Sequence, residues 1–192
     1  MSSYHDAHKF ADGNPTKKMT LKGGVYSRLD MIRALVTHFR MSGMLVRSNV
    51  DLGVFQSDVL TLDKSQGAFV AVQCMHGGQP NTLAAHFSKA DSYLTAAKCG
   101  TLKFHALTDK KSKATTRRLL SVSVALMDRT CKRRDLLRSL KAQFPAVGIV
   151  RVKMNGQCRD YIRDGDGNKD LALTAGAPVE LPAQGKIQLA KK

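Results

Sequence analysis

Lysine and arginine offer the most chemistry in this chain. They number 31 against 15 aspartates and glutamates, a formal net charge of +16 over 192 residues. Their spacing concentrates the effect. Residues 98–141 hold Lys98, Lys103, Lys110, Lys111, Lys113, Arg117, Arg118, Arg129, Lys132, Arg133, Arg134, Arg138 and Lys141 against Asp109, Asp128 and Asp135, ten of the sixteen net charges. Cations at this density neutralise phosphates and release condensed counterions, which gives affinity for nucleic acid without reading its sequence. A solvated basic face, an anionic membrane surface or an acidic protein partner is the plainer alternative.

Other reactive residues have spacings that argue against chemistry. His76-Gly77-Gly78 is similar to an oxyanion loop, but the chain has no G-x-S-x-G nucleophile, so a turn is expected there. Cys74 and His76 are two residues apart, which does not bring a thiol onto a base. Cys74, His76, His86 and Cys99 match no zinc spacing. Residues 164–170, Asp-Gly-Asp-Gly-Asn-Lys-Asp, look like a calcium loop without the distal bidentate Glu, and read as a polar turn. Four cysteines without a C-x-x-C pair read as reduced thiols of an intracellular protein, cytoplasmic or associated with a nucleoid or nucleoprotein. With no Trp and 6% aromatic residues, base stacking has little support.

The elements that must position these residues follow from periodicity. An apolar fraction of 43% over this length suits one domain. Residues 1–24 read as a flexible basic arm, 25–170 as a single α/β domain, and the Ala/Gly/Pro-rich 171–192 as a flexible tail. Leu29, Ile32, Leu35, Val36 and Phe39 recur at helical steps, with Ser27 as cap and Gly43 beyond the end. Lys22-Gly23-Gly24 before it reads as a turn, with a phosphate cradle as the sharper alternative. Residues 44–50, 52–62 and 68–75 read as a three-stranded meander whose last strand is buried on both faces. A helix is expected over 82–97, a strand over 102–107, a helix over 132–144, and a hairpin from 147–152 through Asn155-Gly156 to 158–163; over 115–127 Leu120, Val122, Val124 and Leu126 alternate as in a strand while Leu119, Val122 and Leu126 fit a helix, and the helix is preferred. The longest uncharged apolar run, 119–127, is far short of the roughly twenty residues that span a bilayer, and no secretory signal is visible.

Helix, three strands, helix, strand is an order that resembles the PD-(D/E)XK nuclease superfamily, which includes Holliday-junction resolvases, restriction enzymes and DNA-repair nucleases. Residues 56–63, Gln-Ser-Asp-Val-Leu-Thr-Leu-Asp, are similar to its Asp-bearing strand. Residues 69–75, Phe-Val-Ala-Val-Gln-Cys-Met, are similar to its apolar strand ending in Glu-x-Lys. Residues 144–150, Phe-Pro-Ala-Val-Gly-Ile-Val, fall where related chains place a later strand. The resemblance covers 25–163 and implies a restriction-endonuclease-like core with an additional C-terminal helix and strands. In the family, the Asp and Glu hold Mg²⁺ and the Lys assists the attacking water. Here Asp58 matches the Asp, Gln73 the Glu, Cys74 the intervening residue and Met75 the Lys, so only the Asp remains. Asp30, Asp51 or Asp63 would have to supply a second carboxylate, and Lys89 the ammonium.

The sequence therefore points to a nucleic-acid-binding protein on a nuclease-like scaffold without catalysis, a pseudoenzyme contacting DNA in preference to RNA, with no cofactor and no membrane. The contacting residues expected are Lys110, Lys111, Lys113, Arg117 and Arg118, then Lys132, Arg133, Arg134 and Arg138, all to the phosphate backbone. Two alternatives stay open. One is a Mg²⁺-dependent endonuclease using Asp58, Gln73 and a displaced Lys89, with Asp58 as the metal ligand. The other is a structural protein of a large nucleoprotein assembly.

Overall fold

A computed structural model describes residues 24–53, 55–63, 67–102, 118–160 and 176–182. Helix α1, Arg28–Met41, begins where Ser27 and Asp30 cap each other reciprocally and ends before Gly43, whose φ of +77° suits glycine. Its buried stripe is Met31, Ile32, Ala34, Leu35 and Phe39, so Leu29, expected inside, stands outside it. Strands β1 (Leu45–Asp51), β2 (Gln56–Asp63) and β3 (Ala68–Met75) form the antiparallel meander. Helix α2, Pro80–Lys98, starts with proline at its first turn, where the missing N–H costs nothing. It returns the chain to β4, Leu119–Met127, which runs parallel to β3. The short α3 (Asp128–Cys131) and α4 (Arg134–Gln143) lead to β5, Gly148–Val152, parallel to β4. An Asn155-Gly156 turn then gives β6, Cys158–Asp160, antiparallel to β5.

The strands lie in the order β1-β2-β3-β4-β5-β6, with β7 (Val179–Glu180) also on β4, a seven-stranded mixed sheet in an α/β fold. Alternate strand residues serve two cores. Phe69, Ala71 and Met75 of β3 and Leu120, Val122, Val124 and Leu126 of β4 pack with α2 and α4. Val72, Cys74, Ala125 and Met127 pack with α1 on the opposite face. Among the described residues no helix is long and apolar enough to cross a membrane.

Two expectations are corrected. Residues 119–127 form a strand instead of a helix. Leu119, Val122 and Leu126 fit a helical spacing, but Leu120, Val122, Val124 and Leu126 also alternate, and pairing with β3 along the whole segment and with β5 from Ser123 onward selects the strand. The expected tail is also partly docked. Residues 176–182 form a strap across the amino ends of β4 and β5. Ala177 N–H donates to Ala146 O at 2.9 Å, Leu181 N–H donates to Arg118 O at 2.8 Å, and the Leu181 side chain enters the core. The strap passes so close to Gly148 that a Cβ there would lie 2.7 Å from Gly176 N. The expected strand at 102–107 lies outside the described residues from 103 onward, as do residues 1–23, 161–175 and 183–192.

On the exposed edge, β1 is interrupted. Asn49 takes a left-handed φ of 51°, and its pairing with Asp58 is missing from an otherwise continuous ladder to β2. The β2–β3 ladder also stops at Val59–Val72, level with Asp58. Both breaks fall at the end of the sheet where β3, β4 and β5 finish.

Candidate nucleic-acid interface

Where the β2–β3 ladder stops, side chains replace backbone pairing. Asp58, buried, accepts from Cys74 N–H through Oδ2 at 2.6 Å. The Arg28 guanidinium at the start of α1 donates Nη2–H to Asp58 Oδ1 and Nε–H to Oδ2, the latter at 3.3 Å. Ser57 Oγ–H donates to Val59 O at 2.8 Å. Gln73 turns to the other face. Its Nε2 donates to Gln56 O at 3.0 Å and to Tyr93 Oη at 2.8 Å, while Tyr93 Oη–H donates to Gln56 O at 2.5 Å. Burial, and then the charge of Asp58, raise the Tyr93 phenol well above its ordinary range, so it remains a neutral donor. Position 73 is thus used as an amide donor. A Glu there could only accept, and would face a carbonyl oxygen.

Asp58, Gln73 and Met75, expected as one constellation, are divided by the fold. Asp58 faces Arg28 and Gln73 faces Tyr93, while Met75 packs among the core apolar residues. Lys89 is exposed on α2 near His86, whose protonation it disfavours. None of the proposed rescuing carboxylates arrives. Asp30 is held by the α1 cap, its carboxyl lowered first by the Ser27 hydroxyl. Asp51 Oδ1 accepts from Gly53 N–H at 2.8 Å. Asp63 sits at the far end of β2, paired with Ala68, about 16 Å along the strand from Asp58. Three donors already occupy the Asp58 carboxylate, about three of its four lone-pair sites, so the residues as placed do not fit Mg²⁺. Among the described residues no group of three His, Cys, Asp or Glu is placed to hold a metal ion. None of the four cysteines is in a disulfide; Cys74, Cys131 and Cys158 are buried and Cys99 is exposed at the end of α2.

Burial holds the His86 imidazole below its ordinary value, with the Lys89 charge acting the same way and Asp58 opposing. Its Nδ1 is buried without a hydrogen-bond partner among the described residues. Between the lowered folded value and about 6.5, the unfolded chain binds more protons, so stability rises with pH through that window and is fully present above it. Urea unfolding at about pH 7.5 and about pH 5.5 is therefore expected to show a loss on acidification that His86→Gln reduces. An equal loss in both proteins would place the titrating group elsewhere.

The basic residues divide in the same way. Lys110, Lys111, Lys113 and Arg117 lie outside the described residues. Arg118 is half-buried, its guanidinium 5.3 Å from the Phe69 ring centroid, and burial lowers its proton affinity. Lys141 is buried, and Nζ donates to Pro145 O at 2.8 Å and Val147 O at 2.6 Å, joining α4 to β5. Arg133 Nη1 donates to Gly78 O at 2.5 Å and fixes the β3–α2 loop, where a Cβ at Gly78 would stand 3.1 Å from Thr130 Oγ1. Arg138 pairs with Asp135 at 3.3 Å, and Arg134 is exposed.

At the carboxyl ends of β4 and β5 an open groove of about 560 Å³ gathers cations from both sides. Arg129 and Lys132 come from α3 and the residue after it, and Arg151 and Lys153 from β5 and its turn. The only carboxylate among the described lining residues, Asp128, forms ion pairs with Arg151 Nε at 2.6 Å and with Lys132 Nζ at 4.0 Å. Lys132 remains 78% exposed. Four cations against one acid leave a net positive charge of three. Sequence reasoning named Lys132 alone among these four as a contact. Lys153 lacks any local signal, because only the parallel pairing of β4 with β5 brings it to Arg129.

Comparison with protein-family models, with curated proteins and with solved structures finds no match to this chain.

Proposed function

We propose that this chain binds nucleic acid, DNA in preference to RNA, through phosphate contacts at the groove between α3 and the β5–β6 turn, on a scaffold that does not cut. The observation that carries the reading is the convergence of Arg129, Lys132, Arg151 and Lys153 on one open groove whose only acid among the described lining residues is already paired. Crevices beyond the carboxyl ends of parallel strands are habitual ligand sites in α/β sheets, and a net positive groove attracts a polyanion. The order α1-β1-β2-β3-α2-β4 supports a restriction-endonuclease-like core. The Arg28 clamp on Asp58 and the donating amide of Gln73 support a position used for structure rather than for metal-assisted hydrolysis.

Duplex binding measured over a salt series tests the electrostatic half. Three neutralised phosphates give a slope of about −2.7 in log K against log salt, so raising salt fourfold weakens binding roughly fortyfold. Arg129→Ala, Lys132→Ala and Lys153→Ala together are expected to flatten that slope by about 2 to 3. Affinity indifferent to salt would remove the proposal. Cleavage of DNA or RNA with Mg²⁺ or Mn²⁺, abolished by Asp58→Ala, would overturn its non-catalytic half.

A further inference from the structure

Next to the groove-lining Met154 stands an exposed aromatic ring. Tyr26 is 70% exposed, directly before the cap residue of α1. An apolar residue in that position commonly packs onto the residue four places past the cap, stapling the helix start. Here that partner, Met31, is fully buried in the α1 core, while Tyr26 stays outside.

The backbone that carries the ring is nevertheless fixed. Val25 N–H donates to Met154 O at 2.8 Å, which ties the approach to α1 onto the β5–β6 turn. Tyr26 N–H donates to Asp30 Oδ2 at 3.2 Å. Gly24 has a φ of +83°, and a Cβ there would lie 3.1 Å from Met154 O and 3.2 Å from Tyr26 Cε2. The ring therefore folds back over Gly24, beside the turn. Met154, itself 45% exposed, lines the groove together with Lys153 and Arg129. An apolar platform with a fixed backbone thus adjoins a cationic track.

Resting on the nucleic-acid reading above, we infer that Tyr26 stacks an unpaired base of a strand whose phosphates lie in the groove, so that single-stranded nucleic acid is the preferred ligand. Stacking suits this place because every base presents a π face, while the adjoining cations hold the backbone without reading sequence. In a closed duplex the bases are stacked on one another and Tyr26 has no face to meet. The scarcity of aromatic residues in the chain limits the contact to one base.

The test compares a single-stranded oligodeoxynucleotide of about twelve residues, carrying 2-aminopurine, with its duplex, a length near the upper site size of single-strand binders. Tyr26→Ala is expected to weaken single-strand binding about tenfold and to abolish the quenching of 2-aminopurine that stacking produces. Tyr26→Phe should retain both, and duplex affinity should be unchanged in either variant. Unfolding temperatures equal to wild type would exclude a folding effect. Single-strand affinity and quenching unaltered in Tyr26→Ala would overturn the stacking inference while leaving salt-dependent groove binding in place. Equal losses on both ligands would overturn it too, since Tyr26 would then act through the groove. A wild-type protein that binds neither ligand at low salt would end both readings.

Discussion

Gly148→Ala lowers the stability of this protein by about 3 kcal/mol, the upper range for forcing a methyl group into a filled core. The melting temperature accordingly falls by roughly 10 °C for a chain of this size. The added Cβ would meet Ser123 Oγ at 2.5 Å and Gly176 N at 2.7 Å. The serine hydroxyl is the end of a side chain and can rotate, but Gly176 is backbone, held in register by Ala177 N–H on Ala146 O. Relief requires the strap 176–182 to move, which releases Leu181 from the core. Differential scanning calorimetry and amide exchange at Ala177 and Leu181 measure the two parts. Ser123→Ala added to Gly148→Ala should restore little. Full recovery in the double variant would show that the strap is not the obstacle.

Arg28→Met is expected to cost about 2 kcal/mol, below the 3 to 5 that breaking a fully buried ion pair costs, because the Arg28 side chain is 58% exposed. The Asp58 carboxylate is left in the interior with the Cys74 N–H as its remaining donor among those described. Asp58→Asn costs less, about 1 kcal/mol, since the amide oxygen still accepts from Cys74 and the released guanidinium is hydrated. The double variant should be more stable than Arg28→Met alone, a coupling of about 1 to 2 kcal/mol by double-mutant cycle. Strictly additive losses would mean that the pair contributes nothing as a pair. A measured coupling of that size would show that the Asp58 carboxylate is occupied by structure.

Sequence gave direct access to elements whose signals are local. Ser27 and Asp30 stand three apart with an apolar stripe behind them, and α1 starts there. The unbroken apolar run before Gln73 is β3, and Asn155-Gly156 turns the last hairpin. It was silent where the determinant is a distant neighbour. Val122 and Val124 are settled as strand residues by the pairing of β4 with β3 and β5. Gly176 docks because Gly148, 28 residues earlier, has no side chain. Asp58 was visible as a position but its clamp was not, since Arg28 is 30 residues away on a helix start. The groove was half visible. Lys132 belongs to a conspicuous basic run, whereas Lys153 joins it only through strand pairing.

The left-handed Asn49 has a consequence for crowding. A chain with a net charge of +16 is concentrated on any polyanion it meets, and at high local concentration exposed strand edges pair with one another. The longer edge of this sheet, β1, is bent out of flatness at Asn49 and carries the exposed Arg47, while the opposite edge, β6, is three residues long. Among the described residues neither offers the long flat template that cross-β growth requires. Copies brought close together are therefore kept from fusing edge to edge through these strands.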